Sequence, residues 1–133
     1  MLEIKQMLIV GLGGCLGSIA RYKLGGFVLH RTEAWDFPFS TLSVNLLGCL
    51  LIGVLAALVE RHDLFSASTR LFLFTGLVGG FTTFSAFAYE GSFLLRRSLF
   101  NAAMLYVTLS VIGGLVAIWI GMKCAGLLWP GHH

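Results

Sequence analysis

The stretch Gly76-Leu77-Val78-Gly79-Gly80-Phe81-Thr82-Thr83-Phe84-Ser85-Ala86-Phe87 decides how this chain is read. It lies inside an apolar run from Leu71 to about Leu95, long enough to cross a bilayer, whose hydrocarbon core takes roughly 20 residues of helix. A plain lipid-facing helix has little use for paired glycines followed by paired threonines. Both weaken a helix, and the threonines offer hydroxyls to the backbone groups that the helix gives up. Broken backbone at membrane depth survives only where protein or a water-filled cavity receives it. The string therefore predicts a break near Gly79 to Thr83, with carbonyls free to coordinate a cation; a simple glycine kink is the plainer alternative.

Three more apolar stretches flank it. One runs from about Ile4 to Leu29 and is interrupted late by Arg21 and Lys23, a second from Phe37 to Val59 is uncharged, and a last one spans Ser98 to Met122 with room to continue to Trp129. Of the 133 residues, 57% are hydrophobic and 11% charged, with a mean hydropathy of +0.89. Soluble domains carry about 25% charged residues, so the bilayer is the solvent this composition suits. Segments between the stretches are too short for a linker or soluble appendage, which predicts an all-α membrane protein, residues 1–133 forming one domain of four transmembrane helices with the third broken. Pro38 suits the first turn of the second helix; Trp35, Trp119 and Trp129 suit the membrane interfaces. Arg61, His62 and Asp63 mark the exit from the second helix.

A net charge of +3 raises the question of nucleic acid, but the nine Lys and Arg are scattered singly apart from Arg96-Arg97 and form no basic stripe. Cys15, Cys49 and Cys124 sit inside apolar runs without the spacing of metal sites or disulfide frameworks, and read as small packing residues. Leu12-Gly13-Gly14-Cys15 imitates a lipoprotein cleavage site, and Lys5 before an apolar run imitates a signal peptide; the three spans that follow favour a membrane helix. His132 and His133 carry no argument. With no phosphate loop, Ser-His-Asp set or metal-ligand cluster, the sequence does not read as an enzyme. Across the membrane, Lys5, Arg61, Arg70 and Lys123 on the side of the termini balance Arg21, Lys23, Arg31, Arg96 and Arg97 on the other. Orientation follows such asymmetry, so a balanced chain can insert both ways. Four short spans do not easily enclose an aqueous path alone, and an antiparallel, dual-topology homodimer satisfies both points.

The polar and aromatic residues inside the spans are the candidate functional set. Phe84 and Phe87 are three apart, and on a resumed helix they share a face with Glu90. A phenyl ring has an electropositive edge that contacts an anion weakly, and weak contacts suit conduction, although two phenylalanines at this spacing are also ordinary packing. Asn45 lies one turn after Thr41 in the second span; its amide can donate to an anion or bond another helix. Tyr106 and Ser110 form a similar hydroxyl pair in the fourth. Arg21 either snorkels to the interface, anchors the fold or attracts anions. Small residues four apart, Gly13 and Gly17, Gly76 and Gly80, then Gly113, Ala117 and Gly121, let helix backbones approach closely.

Taken together, Gly13-Gly14-Cys15-Leu16-Gly17-Ser18-Ile19-Ala20-Arg21-Tyr22, Asn45-Leu46-Leu47-Gly48 and Gly79-Gly80-Phe81-Thr82-Thr83-Phe84-Ser85-Ala86-Phe87 resemble the fluoride channels of the Fluc (CrcB) family. The resemblance covers about Gly11 to Ser110. It implies a dual-topology homodimer in a bacterial inner membrane, with two antiparallel pores passing fluoride and rejecting chloride. By this similarity Phe84 and Phe87 are the pore phenylalanines and Asn45 the amide beside the ion path. Thr41, Thr83, Ser85, Tyr106 and Ser110 supply hydroxyls along it, and Arg21 and Glu90 have no assigned role. Gly79 and Thr82 match positions whose backbone carbonyls, from both subunits, hold a structural sodium ion at the dimer centre. Ala86, where many relatives have a hydroxyl, removes one polar contact; Cys15 replaces a commoner alanine.

Two rivals remain at this stage. A small multidrug exporter also has four helices, but needs an acidic residue deep in its first span, where this sequence has none; Glu90 lies late in the third. A non-transporting membrane subunit would use the same phenylalanines and hydroxyls for packing alone.

Overall fold

The computed structural model describes residues 2–62 and 65–128, so Asp63, Trp129, His132 and His133 lie outside the described residues, as do the side chains of Arg61 and His62. Among the described residues the chain is helical, without strands, and four of its spans are long and apolar enough to cross a membrane. Helix α1 covers Leu2–Thr32 and α2 covers Phe39–His62. The third span is composite. It begins as α3, Ala67–Arg70, continues as a π-helical stretch, Leu71–Val78, and closes its first arm with α4, Gly79–Phe81. After a gap at Thr82 and Thr83, its second arm resumes as α5, Phe84–Arg96. Helix α6, Phe100–Leu128, completes the chain.

The third helix is broken as its sequence suggests, but more narrowly. Gly79 keeps helical angles, φ −62° and ψ −38°, and only Thr82 (φ −85°, ψ 161°) and Thr83 (φ −150°, ψ 116°) are extended. Two consecutive extended residues are an interruption, not a kink. The glycines serve the seam beside the break instead. A Cβ on Gly13 of α1 would stand 2.7 Å from the Phe72 carbonyl and 2.9 Å from Gly76 Cα, and one on Gly80 would stand 2.6 Å from the Gly14 carbonyl. One on Gly17 would run into the Leu77 carbonyl. First arm and α1 therefore lie backbone against backbone, the arrangement small residues permit where lipid removes the hydrophobic drive for helices to pair. The π-helical stretch sits in this seam; it has no compositional signature, and its wider turn is a feature seen often beside functional sites.

A second close seam joins α2 to α6. A Cβ on Gly53 would strike the Ile118 carbonyl, and one on Gly121 the Leu50 carbonyl, whereas Gly113 meets only the flexible end of Leu46. Helix α5 docks differently, through side chains: Leu94 joins Leu42, Ala103 and the fully buried Tyr106 in a cluster flanked by Phe37, Phe87 and Leu99. Its C-terminus is closed by Ser98 at φ 59°, with Leu99 N–H donating to the Leu94 carbonyl at 3.0 Å, so Leu99 folds back onto the residue it bonds.

Three local expectations change. Pro38 precedes α2 instead of entering its first turn: its carbonyl accepts Leu42 N–H at 3.2 Å while Phe39 N–H turns back to the Phe37 carbonyl at 2.8 Å. Helix α6 begins at Phe100, two residues after the expected Ser98, and runs on to Leu128 within the room the sequence left for it. Of the cysteines, Cys49 packs against Gly114, but Cys15 and Cys124 are exposed on the subunit. Much of the apolar surface faces outward, Leu12 at 64% and Leu115 at 65% exposure among it, as expected of a surface bathed in lipid or covered by a further chain. Near the helix ends Arg31 lies over Phe27, Arg97 over Phe93 and Lys123 over Trp119, pairing cation with ring where membrane meets water.

Candidate functional site

The break releases backbone groups that must be met, and side chains of α1 and α2 meet them. In an unbroken helix Thr83 N–H would reach the Gly79 carbonyl and Ala86 N–H the Thr82 carbonyl. Here Thr83 N–H donates to Asn45 Oδ1 at 2.8 Å, and Ala86 N–H donates to Thr83 Oγ1 at 3.2 Å, which caps α5. Gly79 and Thr82 thus lose their ordinary helical donors. Asn45 Nδ2 in turn donates to the Thr83 carbonyl at 2.9 Å, so one amide clamps both polar groups of the same residue. Arg21 Nη1 donates to the Thr82 carbonyl at 3.3 Å. Thr82 Oγ1 folds back onto the Val78 carbonyl at 3.0 Å.

Beyond the break, α5 presents a row of rings. Phe84 is 78% exposed, its centroid 5.4 Å from that of Phe87; Phe87 lies 5.4 Å from Tyr106, and Tyr106 meets Phe37 edge-on at 5.7 Å. At the buried end of the row stands Glu90. Tyr106 donates its hydroxyl to Glu90 Oε2 at 2.7 Å, and Thr41 donates to Oε1 at 2.7 Å, so three helices converge on one carboxylate. Both hydroxyls orient the group and satisfy an oxygen each, which a carboxyl at membrane depth requires.

Two cavities flank the break. One, of about 340 Å³, is lined by Asn45, Cys49, Thr83, Phe84, Phe87 and Ser110 among others. Ser110 Oγ is buried and without a hydrogen-bond partner among the described residues. The other, of about 410 Å³, is lined by Ser18, Arg21, Ser40, Thr41 and Thr83 with glycines beneath. Thr83 belongs to both walls.

The structure therefore gathers most of the residues singled out in the sequence, but in different pairs. Thr41 and Asn45 share a face of α2 yet serve different partners, Glu90 and Thr83. Tyr106 and Ser110 separate likewise, one tied to Glu90 and the other among the residues lining the ring-lined cavity. Ser85 shares a hydrogen bond with Thr83, Oγ to Oγ1 at 3.2 Å, on an exposed surface. The Glu90 triangle and the contact of Arg21 with the break were not legible, because each joins residues from different helices. The one sequence signal for them was the cost of leaving Arg21 and Glu90 unpartnered in a span. Among the described residues no group of three or more His, Cys, Asp or Glu could hold a metal ion.

Residues 8–122 match the family model described as CrcB-like protein, Camphor Resistance (CrcB). Three curated relatives carry the name fluoride-specific ion channel FluC. One from Methylobacillus flagellatus is 48% identical over 118 residues, covering 89% of this chain and 92% of its own. Another from Chlorobium chlorochromatii is 48% identical over 120 residues, 90% of this chain and 92% of its own. A third, from Flavobacterium psychrophilum, is 42% identical over 122 residues, 92% and 98% of the two chains.

Proposed function

Since the chain belongs to the CrcB family, whose curated relatives are named as channels and not enzymes, we propose that this multi-pass membrane protein is a fluoride-selective passive channel of a bacterial inner membrane. It lets cytoplasmic fluoride leave down its electrochemical gradient and so protects the cell. Hydrogen fluoride enters as a neutral acid and dissociates inside, where the negative-inside potential drives the anion outward. No covalent step is needed.

The observation that carries this reading is the ring-lined cavity beside a broken span. Phe84 and Phe87 offer phenyl edges, Ser110 an unpartnered hydroxyl, and Asn45 a second amide N–H beyond the one given to Thr83. These are weak or neutral donors, suited to an anion that must leave as well as enter. Thr41, Tyr106 and Glu90 continue the polar line behind the rings, and Thr83 and Ser85 mark its approach. The outward apolar faces and the balanced Lys and Arg support an antiparallel homodimer with two pores, each lined from both subunits. In that assembly the Gly79 carbonyl, freed from helical bonding, and the lone pair that Arg21 leaves open on the Thr82 carbonyl would be the oxygen ligands of a structural sodium ion that fixes the two broken spans together. The lipid of the bilayer is its other partner; nucleic acid is not.

Expression in a fluoride-sensitive bacterium tests the proposal. Growth in fluoride is expected with the wild-type chain and lost with Phe84→Ile at equal membrane abundance; equal sensitivity with and without the wild-type chain would overturn it. Glu90→Gln separates the exporter reading, which requires that variant to abolish all proton-coupled transport.

A further inference from the structure

We propose that Arg21 is a positioning residue for conduction: its guanidinium holds the Thr82 carbonyl and thereby sets the direction in which the chain leaves the break toward Phe84. This rests on the channel reading above. Thr82 has lost its helical donor, because Ala86 N–H is taken by the Thr83 hydroxyl, and Arg21 replaces that donor from another helix at 3.3 Å. A snorkelling arginine would run to the interface. This one turns into the protein, half-buried, against main chain.

The reach is fixed mechanically. Gly17 lies one helical turn before Arg21, and a Cβ there would run into the Leu77 carbonyl and stand 2.8 Å from Phe81 N. The glycine contact therefore sets the height of α1 against the last turn before the break, and the next residue on that face is Arg21. Asn45 holds the other end of that same Thr82–Thr83 peptide by accepting from Thr83 N–H, and it holds the next peptide, Thr83–Phe84, by donating to the Thr83 carbonyl. Between them the two side chains determine the orientation of two successive peptide units. Phe84 follows immediately, and Thr83 forms wall in both cavities. A rotation of the Thr82 peptide would swing the first ring of the row.

A positioning contact and long-range attraction of anions by a positive charge predict different results. Attraction between exposed charges fades as ionic strength rises, whereas a hydrogen bond inside the protein does not. Arg21→Met, reconstituted as a folded protein, is expected to release fluoride at least tenfold more slowly by the same factor at low and high ionic strength, with Arg21→Lys within about threefold of wild type. A Met deficit that disappears at high ionic strength, or a Met variant at the wild-type rate, overturns the proposal. A measurement on the unaltered chain decides it if the Met variant does not fold. Solid-state NMR dipolar recoupling between labelled Arg21 guanidinium nitrogen and Thr82 carbonyl carbon in lipid is expected to show direct contact, and its absence overturns the proposal. A wild-type chain that passes no fluoride would sink the channel reading while leaving this contact to be judged by NMR.

Discussion

The two arms of the third span are held in opposite ways. Before the break, the segment from Leu71 to Phe81 lies on α1 with no side chain between backbones at Gly13, Gly17, Gly76 and Gly80. After it, α5 is held by what its side chains do: Leu94 in an apolar cluster, Phe87 against Tyr106, Glu90 gripped by two hydroxyls. The first arm has no room for added side chains, while the second is held through polar and aromatic groups.

The comparison breaks most severely at the glycine seam. Gly17→Val should yield no monodisperse folded protein on size exclusion, since even one added carbon meets the Leu77 carbonyl and the main chain cannot retreat. A well-folded Gly17→Val would mean the arms do not differ as described. Asn45→Ala comes next. It removes two part-buried hydrogen bonds of Thr83, of about 0.5–1.5 kcal/mol each, and chemical unfolding in detergent should show the loss.

Phe84→Ile sharpens the comparison from the other side. With Phe84 78% exposed, its truncation should leave subunit folding nearly unchanged while fluoride efflux falls at least tenfold, about 1.4 kcal/mol in the barrier. Equal loss of folding and flux would make the ring a packing residue. The smallest effect belongs to Ser98, whose φ of 59° favours glycine: Ser98→Gly should raise the free energy of unfolding by about 0.5–1 kcal/mol without altering flux.

The difference between the arms also explains what the sequence disclosed. Small residues spaced by four along Gly13-Gly17 and Gly76-Gly80 announce a close seam, because the spacing itself carries the packing. The paired threonines announced a break, yet its place, two residues after the last glycine, follows from Asn45 supplying both partners to Thr83. No local pattern reports that. Thr41 and Asn45, one turn apart, looked like a single polar face, and only the approach of α5 assigns one to Glu90 and the other to the break. The π-helical stretch Leu71–Val78 was hidden altogether, since nothing in its run of apolar residues distinguishes it from an ordinary helix.

The most direct test of the central claim is anion release from liposomes loaded with potassium fluoride or potassium chloride and carrying the purified chain, followed with an ion-selective electrode after adding a potassium ionophore. The account predicts rapid, ionophore-dependent release of fluoride with chloride retained. Release of both anions, or of neither from protein shown to be folded, would contradict it.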